Sequence, residues 1–470
     1  MDVKHFAADE RRWTPMFFWM RSHDMPRIGL EQKKASAFIS VHRRPLFMML
    51  LLFMLAMSGG RGVHAQVLDA PWVGQAQKRI EQCRMTPVRV IVLDEQGRPA
   101  ADAVVRVQLQ RHAFPLGVRL NPADFADGNQ PEPGRDGAPV WRCFNAASLE
   151  LATAWPTLQE GLGQWDFTLV DDMLGWAERR GMLVRWGALT SADPGKLPPW
   201  VLRLRGEELR RALENHLATV EVRYGRRVAQ FDVHGDQFDH DLAARRLGPA
   251  MIRELHEYAK AQAPAAKMAI RFEDALTGDR LNLMVRQLTH LRESFVPFDL
   301  IAVEQRLGGT VVQGPLQRAL AWLEDLHAEV AVTGLEVGGN SPAGAALNLE
   351  TVLRTLFAQP CVQGIWLTGV RAKDVIEPNA ALVDEQGEPT LAGRALEGLI
   401  RLEWWTDLTA RTDELGNVKA RVMAGTYHIT ASAGGVALGE TTVYLPMSGA
   451  ERIVLLEPAR PPVVQGALGD

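Results

Sequence analysis

Acid and base groups crowd one short stretch of this sequence, where His234-Gly235-Asp236 is followed closely by Asp239-His240. Imidazoles and carboxylates placed so near each other suit proton transfer or the binding of a divalent cation. Their spacing fits no named metal motif, so the plainer reading is a polar loop in which a neighbouring carboxylate satisfies His234, and no metal or other cofactor is expected. Glu304 and Arg306 stand two apart after an apolar run, share one side of a strand, and are expected to form a structural ion pair. Three cysteines, Cys83, Cys143 and Cys361, are too far apart for a local metal knuckle and allow at most one disulfide.

The elements that position these groups follow from composition and pattern. The 470 residues carry a net charge of −4, with 47% hydrophobic and 23% charged residues. That balance excludes a mostly disordered chain. Ten basic residues against five acidic ones lie in the first 65, which leaves the remaining 405 at −9. An acidic body has no positive footprint for a phosphate backbone, so nucleic acid is excluded as a partner. Arg43 and Arg44 precede a twelve-residue apolar run, 46–57, and Val63-His64-Ala65 has the small-x-small form of a cleavage site. Twelve residues are fewer than the about 20 that cross a bilayer. Residues 1–65 therefore read as a secretory leader, the protein as secreted or periplasmic, and no membrane span is expected after cleavage. The stretch before the apolar run is long, which suits a later start such as Met25.

Residues 66–112 form an N-terminal β module in this reading: Val88 to Val92 and Val104 to Leu109 alternate around a glycine-containing turn, the pattern of a hairpin. Short apolar runs then recur at 114–118, 147–151, 182–186, 228–233, 268–272, 298–303, 330–333 and 362–368. Amphipathic stretches separate most of them, such as 206–224 with Leu209, Leu213, Leu217 and Val220 on one stripe. Eight such runs predict an α/β fold, a closed (β/α)8 TIM barrel, over residues 113–403. A doubly wound sheet would carry a glycine-rich phosphate turn after an early strand, and none is present. From 404 to 470 alternation returns as a second, C-terminal β module, with Trp404-Trp405 sealing its junction to the barrel.

Several segments together resemble glycoside hydrolase family 10, the retaining endo-β-1,4-xylanases. They are Arg111 to Gly117; Gly163-Gln164-Trp165-Asp166-Phe167 with the following Asp171 to Gly181; Pro198-Pro199-Trp200-Val201; Phe231-Asp232-Val233; and Leu382 to Pro389. The resemblance implies a polysaccharide or oligosaccharide partner of xylan type. It also implies a pair of carboxyl groups at the C-terminal strand ends, an acid and a nucleophile about 5 to 5.5 Å apart.

At the positions that carry the family's chemistry, the residues differ. Asp236 stands at the acid position, one methylene shorter than the family's Glu. The nucleophile segment reads Thr333-Gly334-Leu335-Glu336, so glycine holds the attacking position, and Glu336 lies two residues on, displaced by about 6.6 Å along the strand. Among the implied sugar-contacting positions, Glu150 is kept while its Asn and Lys neighbours are lost. Arg185-Trp186 opens a segment that lacks the family's His and platform Trp. Glu304 and Arg306 replace Gln and His. His234 and Trp366 complete the candidate set, Trp186 and Trp366 being expected near the mouth, whereas Trp155 and Trp165 read as core. So many changed hydrogen-bonding groups do not leave a xylan site intact. The leading expectation is a secreted family-10-like barrel without xylanase activity, retained as a glycan-binding or scaffolding protein. The alternatives are an inverting hydrolase using Asp236 with Glu336 or Glu304 at a wider spacing, and the metal-loop reading above.

Overall fold

The computed structural model describes residues 71–126, 138–235, 242–447 and 449–457. The leader and the cluster of Asp236, Asp239 and His240 lie outside the described residues. The described chain opens with the helix Pro71–Cys83, followed by β1 (Met85–Val92) and β2 (Val104–His112). Eight parallel strands come next: β3 (Leu116–Arg119), β4 (Ala146–Ser148), β5 (Leu183–Ser191), β6 (Gln230–Gly235), β7 (Lys267–Glu273), β8 (Leu300–Leu307), β9 (Val330–Val337) and β10 (Val362–Leu367). They close into a barrel, β10 pairing with β3, and each apolar run expected from the sequence supplies one strand. The chain continues with β11 (Asp407–Arg411), β12 (Asn417–Met423), β13 (Gly425–Ala433), β14 (Val436–Leu445) and β15 (Arg452–Leu456).

Helices cover the barrel outside and side chains fill it inside, so its strands are buried on both faces. Every residue of β6 and of β9 is buried, which explains why these runs are continuous rather than alternating. The helix Gly206–Tyr224 presents the stripe Leu209, Leu213, Leu217 and Val220 inward, as its spacing predicts. Inside, Trp366 shares a cluster with Ala146, Ala269, Ala302 and Ala331. Its ring lies so close to Gly117 and Gly364 that a Cβ at either would come within 2.5 Å of it. One large ring among small neighbours is how a narrow barrel fills its axis without voids.

The two terminal β modules are a single unit, which corrects the hairpin expectation. β1 pairs with β12 and β15 in a three-stranded sheet, whereas β2 pairs with β11 and β13 in a four-stranded sheet completed by β14. The glycine-containing turn carries the chain from one sheet to the other. Alternating burial gives each sheet one inner face, Val88, Val90 and Val92 on one and Val105, Val107, Tyr427 and Ile429 on the other, all within one continuous core.

Arg84 joins this unit to the barrel. It is buried, and its guanidinium donates to the carbonyls of Phe357 (2.8 Å), Gln359 (2.6 Å) and Val362 (2.7 Å). Phe357 and Gln359 lie at and just past the C-terminal end of the helix Pro342–Phe357, where the helix dipole favours a cation, and Val362 opens β10. The same group sits over the Phe114 and Phe357 rings, and its own carbonyl accepts from the Ala424 N–H. Trp404 stacks on Phe357 at 4.1 Å between ring centroids, and its carbonyl lies 2.9 Å from His112 Nε2, so the expected seal is in place. All three cysteines are thiols.

Arg84→Met leaves three carbonyls without their donor, each costing about 1–3 kcal/mol when buried and unpaired. A loss of roughly 3 kcal/mol in urea unfolding is expected. Arg89→Met, at the half-exposed Arg89–Glu451 pair, should stay within about 0.5 kcal/mol.

Candidate functional site

Period-two alternation sends Ser148 and Glu150, Arg185, Asp232, Arg271 and Glu304 toward the barrel axis, above the layer of alanines around Trp366. Charges taken out of water persist only when paired, and these are paired across strands. Arg185, fully buried, contacts Asp232, donates to Ser148 Oγ at 2.9 Å and lies 3.5 Å from the Glu150 carboxylate. Arg271 reaches Glu150 at 2.6 Å, Glu304 at 3.0 Å and Glu273 at 3.0 Å. Gly187 lets Glu150 come close, since a Cβ there would stand 2.9 Å from its backbone.

Glu150 and Glu304 flank the same guanidinium, that of Arg271. Burial works against the Glu150 charge, but the Arg271 and Arg185 guanidiniums outweigh it and hold this carboxyl well below the usual carboxylate range. Burial, and then the Glu150 charge, push Glu304 up to about 8. The Glu304 side chain lies across Gly334: a Cβ at that position would stand 2.9 Å from Glu304 Cγ and 3.0 Å from Cδ. The space that a side chain at 334 on β9 would need is occupied by the Glu304 side chain from β8.

A cavity of about 60 Å³ opens above this pair, lined by Arg119, Glu304, Arg306, Gly334 and Glu336 among others. It has room for only a few waters. Glu336 is 3% exposed, and its Oε1 accepts the N–H of Ile376 at 2.6 Å and that of Glu377. It faces the same cavity as Glu304, but it serves there to hold the loop that follows β10.

The remaining candidates fall in different places. Arg306 is exposed at the mouth, and the cation paired with Glu304 is Arg271 instead, because strands lie about 4.8 Å apart while alternate residues on one strand are separated by about 6.6 Å. His234 is buried at the end of β6, with Nδ1 2.8 Å from the Thr190 hydroxyl. Trp186 and Trp366 are not at the mouth. Trp186 packs on Tyr224 and Phe231 behind β5, and Trp366 fills the barrel axis, so neither offers a face to a ligand. Trp155 is core as expected, stacked on His216 at 4.0 Å. Arg271 and Arg119 were missed as site residues. The signal for Arg271 was an arginine inside the otherwise apolar run 268–272, which must point to a partner or into the barrel.

Glu336→Ala removes the acceptor of two backbone N–H groups. Hydrogen exchange at the Ile376 and Glu377 amides should accelerate by at least tenfold, a charged acceptor being worth about 1.5–3 kcal/mol, while amides in β6 stay unchanged.

Residues 109–397 match Glycosyl hydrolase family 10. An anti-sigma-I factor of Acetivibrio thermocellus is 26% identical over 370 residues, covering 77% of this chain and 47% of that protein. Endo-1,4-beta-xylanase 2 of Arabidopsis thaliana is 23% identical over 338 residues, covering 70% of this chain and 30% of that one. The chain thus spans less than half the length of these curated relatives. Among solved structures, xylanase 10B from Thermotoga petrophila in complex with xylobiose superimposes with a TM-score of 0.53 at 19% identity, over 61% of this chain and 93% of that one. Native xylanase10C from Cellvibrio japonicus gives 0.55 at 18% identity, over 62% and 71%. The closed eight-stranded barrel, its charged mouth and a family match across more than half of its length lead to one assignment: the chain belongs to glycosyl hydrolase family 10.

Proposed function

We propose that this chain is an exported family 10 barrel that binds a xylan-type polysaccharide at its mouth without hydrolysing it. The observation that carries this reading is the Glu304 carboxyl lying over Gly334. Retaining hydrolysis needs an ionised carboxylate about 5 to 5.5 Å from the acid and free to attack the anomeric carbon. Here the strand has no side chain at that point, and the Glu304 carboxyl beside it, pushed up to about 8 by burial and then by the Glu150 charge, is held by Arg271.

A second reading retains hydrolysis, with Asp236 as acid and Glu336 as base. It is favoured by Glu336 lining the same cavity as Glu304. A spacing of about 6.5–9.5 Å would then invert the anomeric centre through water.

Affinity electrophoresis in xylan and a reducing-end assay on xylohexaose separate the two. Retardation without product is expected from the first. Product formation that disappears in Asp236→Ala and in Glu336→Gln overturns it in favour of the second, and the absence of retardation on xylan overturns the proposed ligand.

A further inference from the structure

The carboxylates that line the mouth cavity each have a donor of their own. Glu336 accepts the Ile376 and Glu377 N–H groups, Asp274 accepts the Arg306 backbone N–H at 2.9 Å, and Glu273 is shared by Arg271 and Lys196. Glu304 is held by Arg271. Two guanidiniums on the same cavity are not spent in this way, that of Arg119 at the end of β3 and that of Arg306 on β8. The exposed Arg306 side chain has no hydrogen bond or ion pair among the described residues. Arg119 has one ionic neighbour, Glu150 at 3.9 Å, and that carboxylate already takes Arg271 at 2.6 Å and Arg185 at 3.5 Å. The Arg119 Nε is buried and meets no acceptor among the described residues.

Buried N–H groups are ordinarily paired, so an unspent guanidinium beside a cavity marks a place for an acceptor that the fold itself does not supply. A sugar hydroxyl offers such a donor one neutral oxygen. A carboxylate offers two charged oxygens in the geometry of the guanidinium fork, and the hydrogen bonds are correspondingly stronger. We propose that Arg119 and Arg306 form a carboxylate-binding subsite at the mouth, and that the polysaccharide taken there is an acidic one, bearing uronic acid. Arg119, enclosed by its neighbours, fixes the position of the carboxylate. Arg306, exposed, adds attraction that salt screens. Because each carboxylate of the mouth keeps its own donor, none has to move to admit another. The subsite deepens the binding reading above and rests on it, since it names the class of glycan that the mouth selects.

The test is isothermal titration calorimetry of the full chain with three ligands: a linear xylo-oligosaccharide, the same backbone bearing one glucuronic acid, and that branched ligand with its carboxyl reduced to the alcohol. The parent is expected to bind the acidic ligand about tenfold tighter than the other two at low salt, the worth of one charge-assisted hydrogen bond. High salt should narrow the difference. Arg119→Gln and Arg306→Gln should each reduce the preference, and the double variant should abolish it while affinity for the linear ligand stays unchanged. Arg306→Lys, which keeps the charge and loses the fork, should recover only part of it. Comparing the three ligands on the parent needs no substitution, so a folding defect in Arg119→Gln leaves the test intact. Equal affinity of the parent for the acidic and the carboxyl-reduced ligands, or a preference that survives in the double variant, overturns the subsite and leaves xylan binding standing. A parent that binds none of the three overturns the xylan reading and the subsite with it.

Discussion

A single guanidinium, that of Arg271, stands between carboxyl groups carried by three strands, and the mouth of the barrel is arranged around it. A charge inside a barrel is tolerable only with partners at contact distance, and removing one partner leaves the others exposed to the full cost of burial. Arg271, with Arg185, holds the Glu150 carboxyl below the usual range, while burial and then the Glu150 charge push Glu304 up. The Glu304 side chain lies against Gly334. A side chain at 334 and this Glu304 position exclude each other.

The opposite end of the barrel follows a separate logic. There Arg84 bonds to the carbonyls of Phe357, Gln359 and Val362, and two sheets built from both ends of the described chain pack on the floor. Stability at one end and ligand chemistry at the other is the usual division of a (β/α)8 barrel. It lets the strand ends at the mouth carry a paired charge layer without disturbing the frame.

Much of the frame was legible before any coordinates. Fully buried parallel strands must be apolar throughout, so each appears as an unbroken run, and the helix Gly206–Tyr224 shows its stripe directly. The errors concern pairing. Alternation around a turn looks the same whether the two strands pair with each other or diverge into different sheets, and β1 and β2 diverge. Trp186 and Trp366 lie near strand ends in sequence, yet which way each points depends on strand phase and on neighbours that are distant in the chain. The alanines and glycines around Trp366 come from six other strand or strand-flanking positions.

The amino-acid sequence alone determined the barrel, the family resemblance and the glycine at 334, because strand order, apolar period and residue identity are properties of the chain. Only the tertiary structure decided that Glu304 covers Gly334, that Arg271 rather than Arg306 is its counter-charge, and that Glu336 is committed to a loop. Those outcomes depend on lateral register between strands, and ion pairs are set by distances of a few ångströms that no single strand contains.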